Sequence, residues 1–228
     1  MKGLRIHGAE ALLRLQDEVL GNIPPDEFIP LAEQIGLIEE IGDFVLHEVC
    51  AFIKSGIPAK KGLECINVNL SVIQCIQPDF VSHILEIVNS YGIDKHMINF
   101  EITESVAAHD YQLLGSVVKQ LKENGILFSM DDYGTGYSNI QSVFSLDIDV
   151  VKIDKSILWG AEKSRLGYVI LENSARMIRQ MNKKILVEGV ETQQQIDLLT
   201  TFDVDYLQGY FFSKPVPQNV LIDLISEG

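Results

Sequence analysis

Apolar and polar positions along the chain switch between two periods, and the switching predicts short strands alternating with amphipathic helices. Short apolar or alternating runs predict strands over 4–9, 65–70, 97–102, 126–129, 150–153, 185–187 and 204–207. Asn22-Ile23-Pro24-Pro25 reads as a turn. A short helix opens at Pro25 or Asp26 with Phe28, Leu31 and Ala32 apolar, and Pro30 is expected to limit or restart it. A longer helix starts near Ile38, carries Ile41, Phe44, Val45, Val49, Phe52 and Ile53 on one stripe, and ends near Gly56. The helix over 78–91 turns Phe80, Ile84, Leu85 and Val88 to the core. Asp110 caps another with Leu113, Leu114, Val117, Val118 and Leu121, which Gly125 stops. A helix over 162–181 is expected to bury Leu166, Val169, Ile170, Met177 and Ile178. Thr192 caps one with Ile196, Leu198 and Leu199, and the last helix spans 220–225.

Strands in alternation with helices imply an α/β fold with a mainly parallel sheet. The repeat approaches that of a TIM-like (β/α) barrel, but a closed barrel of this type needs eight strands. The first predicted strand lies almost at Met1, so one strand is expected upstream of it. No linker or low-complexity tract divides the chain, and a single domain over 1–228 is expected.

The bulk numbers narrow the function. With 228 residues, 46% hydrophobic and 22% charged, the chain is long enough for a sizeable core. No run is long and apolar enough to span a bilayer, and no secretory leader opens it. A formal net charge of −14 disfavours duplex nucleic acid, yet allows a small phosphorylated substrate if cations supply positive charge. Cys50, Cys65 and Cys75 share no metal-type spacing, and their odd number argues against a disulfide framework. They read as core or surface thiols in a reducing, cytoplasmic setting. His7, His47, His83, His96 and His109 follow no ligand spacing and read as structural or surface residues.

The densest chemistry lies in Met130-Asp131-Asp132-Tyr133-Gly134-Thr135-Gly136-Tyr137-Ser138. Apolar Ile126-Leu127-Phe128-Ser129 precedes it, and Ser138 is placed to cap a helix through Ile140 and Val143. Two adjacent carboxylates thus stand where a strand meets a glycine-hinged loop. Their mutual repulsion is relieved by a divalent cation, and carboxylate oxygens suit magnesium or manganese. A polar turn is the plainer reading of this stretch by itself.

The register of the other strands changes that balance. At or after the strand ends stand Glu10, Asn69, Glu101, Asp131 with Asp132, Lys152 with Asp154, Glu188, and Gln208. Any one of these reads as a solvated strand end. All of them together mark the carboxyl rim where barrels and open parallel sheets build their sites. Asn67 and Asn69 share one face of their strand, and one is a candidate ligand while the other hydrogen-bonds in the core. Glu101 shares a face with Thr103, and Glu104 falls in the following loop. Lys152 shares a face with Asp154, and its apolar flanks Val150, Val151 and Ile153 predict burial, which demands a partner charge.

These residues resemble the EAL domain, the bacterial phosphodiesterase domain that hydrolyses cyclic di-GMP to linear pGpG. The likeness rests on Glu10-Ala11-Leu12-Leu13-Arg14, Ile29-Pro30-Leu31-Ala32-Glu33, Asn69-Leu70-Ser71 and Glu101-Ile102-Thr103-Glu104-Ser105. It continues through the stretch from Asp131 to Ser138, Lys152-Ile153-Asp154, Glu188-Gly189-Val190-Glu191-Thr192 and Gln208-Gly209-Tyr210. The motifs follow in family order over essentially the whole chain. Tyr133 stands where the family usually has Phe, Asn139 where it often has Ser, and Leu15 where Trp is common after Arg14.

The resemblance implies a modified TIM-like (β/α) barrel whose first strand, here lying upstream, runs antiparallel to the rest. It also implies two divalent cations, Mg2+ or Mn2+, with Ca2+ inhibitory. By position, Glu10, Asn69, Glu101 and Asp131 would hold one metal, and Asp131 would bridge to a second shared with Asp132 and approached by Glu188. Glu188 is the implied general base, and Lys152 would contact the attacking water or the phosphate. Arg14, Asp154 and Gln208 fall on the substrate side, with the Arg14 guanidinium suited to phosphate, and Glu104 would brace the loop over 131–138. A homodimer through the helix linked to that loop, and fusion to a sensor or cyclase-like domain in a longer protein, are implied as well; the apolar segment 139–146 suits an interface and core packing equally. A cyclic di-GMP receptor that binds without cleavage is the alternative, and a purely structural module the third.

Overall fold

The computed structural model describes residues 5–104, 111–135 and 146–227. The expected caps at Asp110 and Ser138, the helix through Ile140 and Val143, Ser105, His109, and residues 139–145 of the expected dimer segment lie outside these. Nine strands are found among the described residues: β1 Gly8–Ala11, β2 Leu15–Asp17, β3 Gly21–Ile23, β4 Cys65–Asn69, β5 Ile98–Thr103, β6 Leu127–Tyr133, β7 Val150–Ile153, β8 Lys184–Val187 and β9 Tyr206–Leu207. Seven of them form one sheet in the order β1-β4-β5-β6-β7-β8-β9. The β1–β4, β6–β7, β7–β8 and β8–β9 pairings are parallel. By Cα packing the chain divides into two compact units, one of Met1–Phe100, Gln120–Leu127 and Pro217–Gly228, the other of Glu101–Lys119 and Phe128–Val216.

In the first unit β1 runs in register with β4, so that Glu10 pairs with Asn67. Glu10 therefore lies inside β1, where the sequence pattern had ended that strand before it. The predicted turn over 22–25 is partly strand. Here β2 and β3 make an antiparallel hairpin, pinned where the Asp17 carboxylate accepts the amides of Val19 and Leu20. Helix Pro25–Ile35 continues through Pro30, and Gly36 ends it in the left-handed region with φ 79°. Its buried Phe28 and Ala32 hold it to the core on both sides of the proline, and this packing outweighs one lost backbone bond. Helix Ile38–Lys54 buries Leu46, Val49, Cys50, Phe52 and Ile53, whereas Phe44, expected on that stripe, is exposed. Helix Phe80–Tyr91 packs against it and buries Phe80, Ile84 and Val88, with Ile87 beside them. Burial without polar company pushes the Cys50 and Cys75 thiols up to about 12, so both stay protonated and inert.

In the second unit both faces of β7 are covered, as a parallel strand requires. Val151, Lys152 and Ile153 are all buried. The predicted helix over 162–181 is two helices, Lys155–Lys163 and Arg165–Gln180, separated at Ser164, whose side chain accepts the Gly167 amide. A Cβ on Gly167 would lie 2.1 Å from the Gly160 carbonyl oxygen, so the second helix turns its glycine edge to the first. That rotation exposes Leu166, Val169 and Ile170, against expectation, and buries Leu171, Ser174, Ala175 and Ile178. Thr192 caps helix Gln193–Leu199 as its position predicts, reciprocated by Gln195 in a capping box. No helix among the described residues is long and apolar enough to cross a membrane.

Candidate active site

A lysine at the centre of a parallel sheet must find negative charge, because an unpaired ammonium out of water is far too costly to keep. Lys152 is 1% exposed, and its Nζ lies 2.9 Å from Glu101 Oε1, 3.1 Å from Asp131 Oδ1 and 2.9 Å from Glu188 Oε1. The partners come from β5, from β6 and from the residue after β8, each brought in by its strand. Asp154, which shares a face with Lys152 in sequence, serves elsewhere. Its Oδ1 accepts the Ser156 amide at 2.8 Å and so caps helix Lys155–Lys163.

Asp131 and Asp132 are neighbours in β6, and simple alternation would send their side chains to opposite faces. The register shows why they do not diverge. Met130 pairs with Val151 and Tyr133 with Ile153, leaving the two aspartates opposite the single residue Lys152. This is a β-bulge, and Asp132 takes the left-handed conformation within it, φ 57°. Asp tolerates that region better than most side chains do. The bulge turns both carboxylates toward Glu188, and ligand oxygens of Asp131, Asp132 and Glu188 all fall within 4.8 Å of one another.

Burial, together with the negative charge of Asp131 and Asp154, raises the Asp132 carboxyl above its ordinary range, and Lys152 and Lys155 only partly offset this. Four carboxylates, Glu101, Asp131, Asp132 and Glu188, therefore surround one buried ammonium. An oxygen-only donor set with excess negative charge is what a magnesium or manganese ion would neutralise, so these residues fit the cations the sequence implies.

The loop after the bulge is held from two sides. Glu104 is buried, and its Oε2 accepts the Gly134 amide at 2.9 Å. Tyr133, the residue that departs from the usual Phe, is buried and shares a hydrogen bond with Ser174, and both line a cavity of about 250 Å³. Gln208 follows β9 and is half-buried. Its amide donates to the Val187 carbonyl at 2.9 Å, and its carbonyl accepts the Val190 amide at 3.0 Å.

The first unit holds the remaining predicted residues. Asn69 Nδ2 donates to Glu10 Oε1 at 2.9 Å. Asn67 is buried, and its Oδ1 accepts from Asn99 at 3.0 Å, so it is the core member of the asparagine pair. Arg14 is exposed, and its Nη1 donates to the Leu13 carbonyl at 2.8 Å. Two motif segments that carried no chemistry in the sequence meet here, where Ser71 Oγ donates to Glu33 Oε1 at 2.6 Å.

Sequence reasoning passed over Gln195. It is buried, its Oε1 accepts the Glu191 and Thr192 amides, and its Nε2 donates to Glu162, tying down the segment that follows Glu188. The spacing Thr192-x-x-Gln195 was the available signal.

The EAL domain family model matches residues 1–215, and the chain belongs to that family. The oxygen sensor protein DosP of Escherichia coli is 34% identical over 213 residues, 93% of this chain and 26% of DosP. The cyclic di-GMP phosphodiesterase PdeL of Escherichia coli is 34% identical over 218 residues, 94% of this chain and 59% of PdeL. The chain thus spans from about a quarter to three-fifths of the length of these relatives. The structure of the PaMucR phosphodiesterase in its c-di-GMP complex superposes with a TM-score of 0.86 at 32% identity, covering 93% of this chain and 86% of that one. The fold is the α/β, TIM-like fold of EAL domains.

Proposed function

We propose that this chain is a metal-dependent phosphodiesterase that hydrolyses cyclic di-GMP to linear pGpG. The observation that carries the reading is the buried Lys152 held among Glu101, Asp131 and Glu188, with Asp132 turned into the same cluster by the β6 bulge. The reading keeps Glu10 and Asn69 in the ligand set on the strength of family membership. Divalent cations bound by these carboxylates would acidify the attacking water and screen the charge of the phosphodiester.

The chain's own residues do the rest. Lys152 fixes the carboxylates in place before any ligand arrives and supplies a positive charge that needs no reorganisation during the reaction. Glu188 is 18% exposed, open enough for a water to reach it, and accepts that water's proton as the oxygen attacks phosphorus. One phosphorus–oxygen bond forms as another breaks, and the released sugar hydroxyl takes its proton from solvent. Arg14 is sufficiently exposed to reach a phosphate oxygen. On the same reading Ca2+ displaces the active cation and inhibits, and the chain works as a homodimer within a longer signalling protein.

The test is linear product formation from cyclic di-GMP in Mn2+, with Glu188→Ala alongside. Metal-dependent cleavage by the wild type that falls at least a hundredfold in the variant supports the reading. Tight binding of cyclic di-GMP without cleavage by the wild type would establish a receptor instead.

A further inference from the structure

The turn after β8 carries Glu188 and then Gly189, whose φ is 70°. A Cβ on Gly189 would lie 2.3 Å from Lys155 Cβ, so only glycine lets the first turn of helix Lys155–Lys163 come this close. The same choice places the most freely rotating residue directly beside the carboxylate on which the proposed chemistry depends. Three hydrogen bonds remove that freedom. The Glu188 amide donates to the Ile153 carbonyl at 3.0 Å, and the Val190 amide donates to the Gln208 carbonyl at 3.0 Å. Between them the Gly189 carbonyl accepts from Trp159 Nε1 at 3.1 Å. The first two are backbone bonds that any sequence would make. The third depends on the chain's single tryptophan, one helical turn beyond Lys155, whose Nζ lies 5.7 Å from the indole centre. The ring is part-buried, and the cation over its face restrains its rotation.

We propose that Trp159 is a positioning residue for Glu188, its indole N–H fixing the Glu188–Gly189 turn so that the carboxylate stays beside Lys152 and the two aspartates. The proposal rests on the phosphodiesterase reading for its effect on rate, but not for its effect on the turn. Without the indole N–H the peptide plane between Gly189 and Val190 is released, because a water in its place is not anchored to the helix. Glu188 then samples orientations directed away from Asp131 and Asp132.

The experiment compares the wild type with Trp159→Phe, which keeps an aromatic ring and loses the N–H. The readouts are hydrogen exchange at residues 188–190, the Mn2+ dissociation constant, kcat and KM for cyclic di-GMP, and the thermal midpoint. The variant is expected to exchange about fivefold to tenfold faster at the Glu188 and Val190 amides, the factor of one lost hydrogen bond, with distant strands unchanged. Its kcat should fall by a similar factor with KM unchanged, and its midpoint should move by no more than about 2 °C. If the phenylalanine variant does not fold, β-(3-benzothienyl)alanine at position 159 deletes the N–H while keeping the bicyclic shape. Wild-type exchange at 188–190 in a variant that lacks the N–H would overturn the proposal. So would a loss of kcat that only follows a lower midpoint. A wild type that binds Mn2+ but cleaves nothing would defeat the phosphodiesterase reading alone, and the exchange comparison would still decide the role of Trp159.

Discussion

The Lys152 cluster and the Glu10–Asn69 pair both collect residues that the sequence marks as metal ligands, yet they are built on opposite principles. At Lys152 a buried ammonium draws three carboxylates to within 2.9 to 3.1 Å. At Glu10 a 2.9 Å bond joins a half-buried carboxylate to an exposed amide. The first is ordered by the protein's own electrostatics and is part of its stability. The second includes an exposed amide, where water competes for the hydrogen bond. The two groups should therefore respond differently to mutation.

The largest contrast is expected from Lys152→Met. It leaves Glu101, Asp131 and Glu188 without their buried counter-charge, and urea unfolding should show a loss of about 3–5 kcal/mol. A loss below about 1 kcal/mol would mean that water already screens the cluster, and the contrast would fall. Saturating Mn2+ should restore part of the lost stability by replacing the missing positive charge.

Asp132→Asn sharpens the comparison through pH. The folded protein holds the Asp132 carboxyl above its ordinary range, so this group adds stability below the unfolded value and withdraws it as pH rises through the folded one. Metal-free Asp132→Asn should thus melt higher than the wild type at neutral pH, and the gap should close as the solution is acidified. Asn also suits the left-handed backbone at this position. With Mn2+ added the order should reverse, because the variant loses a ligand. Equal melting at neutral pH without metal would show that the like charges are not in conflict.

The smallest effect on stability is expected at the other region. Asn69→Ala should change unfolding by no more than about 0.5 kcal/mol, while Mn2+ affinity measured calorimetrically falls about tenfold. A large loss of stability would place this pair with the Lys152 cluster and erase the distinction.

The positions of the polar residues along the strands were legible because a carboxylate or amide closing an apolar run stands out locally. Their partners were not. Periodicity puts Lys152 and Asp154 on one face and demands a partner charge for the buried lysine without naming one; the folded chain draws it from three other strands and gives Asp154 a helix to cap. That Asp131 and Asp132 act together was legible from their adjacency, but the bulge that brings both to one side was not, since a bulge leaves no signal in composition. The helix over 162–181 was misread for a related reason. Leu166, Val169 and Ile170 make a convincing stripe, but the close approach of Gly167 to Gly160 decides the rotation, and that is a tertiary fact. Thr192 was read correctly because an N-cap depends on residues adjacent in sequence, a threonine directly before an apolar helical run.

The bulge in β6 also governs which kinds of genetic change this protein can survive. A substitution at Asp131 or Asp132 alters one side chain and leaves the backbone path intact. Removing either codon takes away the extra residue and restores one-to-one pairing with β7, and Tyr133 keeps its place opposite Ile153. Tyr133 would then stay with Ser174, and Gly134 with Glu104. A one-residue deletion here thus costs one carboxylate and the bulge rather than the fold, and mutational libraries built with both kinds of change should show deletions tolerated for folding at these two positions.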